Sequence, residues 1–357
     1  MMMLSYIIYF GLLLICIVCS YYAERKNSRL LMLIIVLLLT IVAALRGFSV
    51  GIDTQSYVEK FSYIYKGKFR YAYGFEETFK YICYAFLHIV PNVSFLLGVL
   101  AFITHACIIF RFWELRRIAS FTCMVAMYFM SFYFMTFNGI RQFVAVAIVF
   151  WGTRYLEQKK LLQFITCVCA ATLFHQTAII CMFLLCFDLL RWKELYRYQK
   201  CLYIVITFSF PVILALLSVE VDQYSRYFSR VSLNMGLIIP VKIALLLLSW
   251  FLIAHSTKYR EFFTGVTNSE RFSIRTSNIN YLLGLLLAAL AYFFPTFIER
   301  ISWYFYIYEG VYYGSVLKNT ERGTKFPLAA MIFFLIGYGF LYSMVHNSQG
   351  PMPYLPI

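Results

Sequence analysis

The chain is expected to be all-α, a polytopic integral membrane bundle of about twelve transmembrane helices (roughly 10 to 14). Three observations predict it. The 357 residues are 62% hydrophobic and 20% aromatic, with only 13% charged, against about 25% charged in a soluble domain. Apolar stretches follow one another almost from end to end. The charged residues fall in the short gaps between them. This composition excludes a water-soluble core.

A span requires about 20 mostly apolar residues. The runs, in order, are Leu4 to Tyr22, Leu30 to Leu45, Asn92 to Phe112, Ala119 to Phe137, Gln142 to Leu156 and Leu161 to Phe174. Gln176 to Leu190, Leu202 to Val219, Leu237 to His255, Ile279 to Phe297, Ile301 to Leu317 and Phe326 to Val345 complete the set. The first run lacks a basic leader and a small-residue cleavage site, which reads as a retained helix and not as a signal peptide. All ten cysteines lie in or beside apolar runs; they behave as small hydrophobes and form no disulfide framework.

Lysine and arginine in the loops set orientation. Arg25/Lys26/Arg29, Arg111/Arg116/Arg117, Arg154/Lys159/Lys160, Arg191/Lys193/Arg197/Lys200, Lys258/Arg260/Arg271/Arg275 and Lys318/Arg322/Lys325 mark the cytoplasmic gaps. The alternation closes if the stretch from Glu77 to Val90, ended by Pro91, lies in the interface or re-enters without crossing. Glu77, Lys80 and Tyr84 would then share one face and Phe79, Ile82 and Phe86 another. Both termini face outward. The net charge of +15 follows from this bias and from anionic headgroups, with no nucleic-acid partner implied. The chain reads as a single membrane domain, 1–357, with a long outer loop at 46–90, a second outer loop at 220–236 and a cytoplasmic loop at 256–278.

With that topology, the unusual polar residues collect at the outward ends of spans. They are Arg46, Asp53 and Tyr57 in the long loop, Asn138, Arg141 and Gln142 at one helix start, His175 at another, and Arg300 at a third. Charges at helix ends also arise as snorkelling anchors. A set of arginines backed by helix N-termini is, however, a natural receptor for phosphate or pyrophosphate at the bilayer surface, and lipid pyrophosphate is the ligand this placement suggests. Outer aromatic residues, among them Tyr224 and Tyr304, fit an interfacial belt first and a surface for stacking sugars second.

Several chemistries have no residues to run on. No His-Glu-x-x-His, zinc set of two Cys-x-x-Cys motifs, phosphate-binding glycine loop or Gly-x-Ser-x-Gly occurs, so no metal or cofactor is expected. Three aspartates, at 53, 188 and 222, supply no Asp-x-Asp for a nucleotide-sugar metal. A transporter would show charged or broken helices at mid-membrane; Lys242 is the clearest ionisable residue inside a run.

The motifs resemble those of the EpsG family of bacterial exopolysaccharide proteins, related in role to Wzy-type O-antigen and capsule polymerases. Arg46-Gly47 with Gly51-Ile52-Asp53-Thr54 and Tyr57, Asn138-Gly139-Ile140-Arg141-Gln142, Phe174-His175-Gln176-Thr177-Ala178, Arg300 with Tyr304-Phe305, and the terminal Pro353-Tyr354 carry the resemblance. The family usually has Gly-Thr-Asp-Thr at 51–54, and often Glu-Pro-Gly-Phe where this chain has Glu76-Glu77-Thr78-Phe79. The resemblance implies a glycosyltransferase in the inner membrane, working at its periplasmic face. Donor and acceptor would be glycan and repeat unit on undecaprenyl pyrophosphate, with surrounding lipid and a chain-length regulator as partners. Arg141 and Arg300, with Arg46, would stabilise the leaving pyrophosphate; Asp53, or else His175, would take the acceptor proton. Tyr57, Asn138, Gln142, Glu76, Tyr224 and Tyr304 would complete the substrate site. An O-antigen ligase and a lipid-linked oligosaccharide flippase are the alternatives.

Overall fold

The computed structural model describes residues 2–191, 238–291 and 297–356. The expected run from Leu202 to Val219 and the outer loop at 220–236 lie outside the described residues. The protein is helical, and among the described residues there is no strand, only an isolated antiparallel bridge between Arg46 and Pro356. It divides into two compact units: one of residues 1–155, 160–182 and 336–357, the other of 156–159 and 183–335.

In the first unit, α1 (Met2–Lys26) and α2 (Arg29–Ala44) form a hairpin. Its turn needs a left-handed residue, supplied by Asn27 at φ 49°, and asparagine tolerates that conformation. Ser28 then caps α2 by accepting from the Leu31 N–H at 3.4 Å. α3 (Thr54–Tyr65), a short 3-10 turn (Phe69–Tyr71) and α4 (Glu77–Ile89) occupy the first long loop. α5 (Val93–Leu115) packs on α2, and α6 (Phe121–Phe132) packs on α1. Glu24 of α1 accepts from the Phe121 N–H at 3.0 Å, placing an anion on the positive end of α6. A second 3-10 turn (Phe134–Phe137), α7 (Ile140–Glu157), α8 (Leu161–Thr172) and a long 3-10 segment (Gln176–Arg191) follow.

Apolar burial decides where the long loop sits. Tyr57, Phe61 and Ile64 of α3 close on Phe75 and on Phe79, Cys83 and Leu87 of α4. The same cluster takes in Leu96, Leu97 and Leu100 of α5 with Ile140 and Val144 of α7. The loop is therefore a packed helical cap and not a tether. The buried stripe of α4 corrects the face assignment made from sequence: Phe79, Cys83 and Leu87 recur at a spacing of four, while Ile82 is exposed. Lys80 is buried by its stem, and its ammonium reaches Glu77 at 2.6 Å, as long basic side chains do.

The second unit contains α9 (Ile238–His255), α10 (Thr257–Gly265), α11 (Asn268–Leu290), α12 (Phe297–Tyr306), α13 (Glu309–Asn319) and the start of α14 (Arg322–Val345), which continues into the first unit. The 256–278 segment, expected as a loop, is mostly helical. Thr267 and Glu270 form a reciprocal capping box, so α11 begins in the polar stretch and not at the hydropathy boundary. Gly284 of α11 lies against α12, where an added Cβ would stand 2.6 Å from the Tyr306 nitrogen; only glycine permits that approach. Behind it, the ammonium of Lys242 meets Glu309 at 2.9 Å, and the hydroxyls of Tyr281 and Tyr306 donate to the same carboxylate oxygen at 3.3 and 3.2 Å.

Among the described residues, α1, α5 and α14 are long and apolar enough to cross a membrane, and a fourth follows if α9 and α10, bent by 79°, form one span. Other runs make shorter helices. The run ending at Phe137 breaks after α6 into a 3-10 turn, and the run from Ile301 breaks between α12 and α13. Twelve residues of α helix rise only about 18 Å, short of a hydrocarbon core of about 30 Å.

Candidate functional site

Three segments of the first unit converge on Glu76. The residue precedes α4 in extended backbone, φ −61° and ψ 141°, and its carboxylate does not cap the helix it introduces. One oxygen, Oε2, accepts from Nη1 of Arg141. The other, Oε1, faces Nδ1 of His175 at 2.7 Å and the backbone N–H of Gln176 at 3.3 Å. The three side chains are 9%, 12% and 13% exposed. A carboxylate this enclosed needs its partners, and here a cation, an imidazole and a helix-start N–H supply them.

The guanidinium of Arg141 is also held at Nε and by its face. Its Nε donates to the Tyr57 hydroxyl at 3.3 Å, and its carbon lies 4.4 Å from the Phe75 ring centroid and 5.8 Å from that of Phe79. Tyr57 comes from α3, Phe75 from the link to α4, and Arg141 from the first turn of α7. With Nδ1 facing a carboxylate, the stable neutral tautomer of His175 carries its proton on Nδ1 and its lone pair on Nε2.

Asp53 and Asn138 meet beside this cluster. Gly51, at φ +94°, turns the loop where an added Cβ would stand 2.6 Å from Thr54 Oγ1, a conformation open to glycine. The Thr54 hydroxyl donates to the Val50 carbonyl at 2.7 Å and to that of Phe137 at 3.3 Å. Asn138 accepts from the Asp53 N–H at 3.3 Å and donates its amide to the Gln349 carbonyl at 2.9 Å and side-chain oxygen at 2.8 Å. The chain's last residues thus pin the loop. Gly51 donates to the Gly350 carbonyl at 2.6 Å, Gly47 to that of Leu355, and the Tyr354 hydroxyl to that of Val42 at 3.0 Å. Ser5 and Tyr9 of α1 also bond this segment, so residues near both chain ends meet at the long loop.

Of the residues expected in one site, the structure brings Glu76, Arg141, His175 and Tyr57 into direct contact, with Asp53 and Asn138 adjoining. Gln142 is buried on α7 at 3% exposure. Arg46 stands apart: it is 2% exposed, its Nη1 donates to the Ala43 carbonyl, and its guanidinium covers Phe137 at 4.6 Å. The terminal segment bridges over it at Pro356. Arg300, exposed on α12, and Tyr304, buried on the same helix, belong to the second unit; Tyr224 lies outside the described residues.

Two participants carried no distinct sequence signal. Lys60 places its ammonium 5.0 Å from the ring centroids of both Tyr73 and Phe75. Burial first, then the charge of Arg141, draws its pKa below the ordinary lysine value, while Asp53 and Glu59 act in the opposite sense. Its position three residues after Tyr57 on α3 was the available cue. Gln349 had no cue at all.

Among the described residues, no group of three or more His, Cys, Asp or Glu side chains is placed to hold a metal ion. Comparison with curated proteins and with solved structures gives no match. The EpsG family model matches residues 29–356, a stretch that carries every motif named above, and the chain belongs to the EpsG family.

Proposed function

We propose that the protein is a Wzy-type polysaccharide polymerase. It transfers a growing glycan from undecaprenyl pyrophosphate to a lipid-linked repeat unit at the periplasmic face of the bacterial inner membrane. Membership of the EpsG family supports a polymerase of the glycosyltransferase kind. The helical architecture and apolar spans support a membrane location. A complete set of about twelve crossings, with the Glu76 cluster at the outer end, belongs to this proposal.

The observation that carries the chemistry is the shared Glu76 carboxylate between His175 and Arg141. In the proposed step, an acceptor hydroxyl attacks the anomeric carbon of the donor. A glycosidic C–O bond forms as the anomeric C–O bond to phosphate breaks, and the electron pair leaves with the undecaprenyl pyrophosphate. The hydroxyl proton passes to Nε2 of His175, whose ring Glu76 orients and whose developing charge it offsets. Arg141 offers its remaining N–H donors to the leaving group. Asp53, expected from sequence as the first choice of base, meets Asn138 through its backbone N–H and takes second place to His175 in this reading.

The test is reconstitution of the purified protein in liposomes with one lipid-linked repeat unit. A ladder of lengthening products is expected. A protein that leaves the repeat unit unextended, whether or not it moves it across the bilayer, is not a polymerase.

A further inference from the structure

The Phe75 ring carries two cations. Arg141 lies 4.4 Å and Lys60 5.0 Å from its centroid, which puts the two charges within about 10 Å of each other, the Debye length at 0.1 M salt. Only one is neutralised by contact. Arg141 holds Glu76, whereas among the described residues no carboxylate lies within ion-pair distance of the Lys60 ammonium, which rests on the faces of Tyr73 and Phe75. Two like charges gathered on one ring share a single carboxylate in direct contact, Glu76 on Arg141, while Asp53 and Glu59 act on Lys60 only from beyond ion-pair distance.

We infer that Lys60 is a binding residue for the diphosphate of the lipid-linked substrate, completing with Arg141 a two-cation grip around Phe75. The inference rests on the reading of the Glu76 cluster as a polymerase centre and names the group there that holds the anion. Three features support it. The ammonium is partly desolvated, so its attraction to an anion is screened less than that of an exposed lysine. The aromatic faces hold the side chain in place without consuming its N–H donors. An ammonium is a compact point charge that can follow a phosphoryl group during departure, whereas Arg141 is clamped by Glu76 and Tyr57. Burial first, and then the neighbouring charge of Arg141, draws the Lys60 pKa down against the opposing pull of Asp53 and Glu59, and a phosphate at the ammonium would act in the same sense as those carboxylates.

The experiment measures binding of undecaprenyl diphosphate to the purified full-length protein in detergent. Wild type is compared with Lys60→Gln, Lys60→Arg and, as a charge-matched control, Lys66→Gln at the exposed end of α3. A charge-assisted hydrogen bond to phosphate makes Lys60→Gln about tenfold or more weaker, while Lys60→Arg stays within about threefold and Lys66→Gln is unchanged. In the elongation assay the same loss appears in KM for the lipid-linked unit. Undecaprenyl monophosphate and inorganic pyrophosphate, run in parallel, show whether the lipid or the second phosphate provides recognition. If wild type binds the diphosphate and Lys60→Gln binds it equally, the assignment of Lys60 is wrong and the polymerase reading stands. An equal loss in Lys66→Gln overturns the inference too, because it reports net charge alone. If wild type binds none of the probes, the diphosphate site itself is refuted.

Discussion

Replacing Glu76 by glutamine removes one charge from a contact that three segments share, and its cost can be reasoned from the geometry. Two opposite unit charges at about 3 Å attract by roughly 5 kcal/mol at an effective dielectric of about 20. Desolvation offsets part of this, since Glu76 and Arg141 are 9% and 12% exposed. Removing one partner of such a pair leaves the other buried without compensation, at about 3–5 kcal/mol. Glu76→Gln keeps an acceptor for the His175 Nδ1–H, so the loss lies towards the lower end. Arg141→Gln removes the cation and leaves Glu76 with His175 and the Gln176 N–H. In the double variant neither charge is stranded, and the combined loss should fall short of the sum by about 1–3 kcal/mol. The assay is unfolding in mixed micelles with rising SDS, followed by tryptophan fluorescence, on all four proteins. Additive losses, within about 0.5 kcal/mol, would show that the two side chains do not form an energetic unit.

Other consequences can be checked separately. Asn138→Ala leaves the Asp53 N–H and the Gln349 carbonyl without their shared partner; a loss of about 1–3 kcal/mol is expected, with faster proteolysis of the 347–357 segment as the readout. Lys242→Met strands a fully buried Glu309 and should cost about 3–5 kcal/mol; Lys242→Met with Glu309→Gln should recover part of it in the same SDS titration. The Glu321 carboxylate is pulled from 4.5 to about 2 by the Ser256 hydroxyl, then by the backbone N–H of Lys258 and its own. Because the folded value lies below the unfolded one, this contribution is present above pH 4.5 and disappears as pH falls towards 2. Glu321→Gln should flatten that part of the pH profile of proteolysis between α9 and α14.

Much of this site can be read from residue placement. The orientation rule put Asp53 in the long loop, Asn138 and Arg141 at one helix start and His175 at another, all on one side, and burial of α3 and α4 against α5 and α7 brings these residues near one another. The role of Glu76 was less legible. Two adjacent glutamates stand where a Glu-Pro-Gly-Phe pattern was expected, and nothing local says that Glu76 turns inward while Glu77 stays exposed beside Lys80. Arg46 illustrates a different limit. Its cover comes from residues about 300 positions away, through Gly47, Gly51 and Gly350, and no periodicity encodes so remote a pairing. The start of α11 was missed for a local reason: hydropathy marks entry into the membrane, whereas the Thr267–Glu270 capping box marks the start of the helix. On α4 the residue types group Lys80 with the polar face, yet its stem packs beside Phe79 and Cys83 while its ammonium reaches Glu77.

In the proposed reaction His175, held by Glu76, takes the acceptor proton. The most direct test is the elongation rate of reconstituted His175→Ala and Asp53→Asn proteins at equal folded amounts. His175→Ala is expected to slow elongation by about 10²–10⁴-fold, the usual contribution of a positioned base, and Asp53→Asn to retain measurable chain growth. Near-normal elongation by His175→Ala, with none from Asp53→Asn, would contradict it.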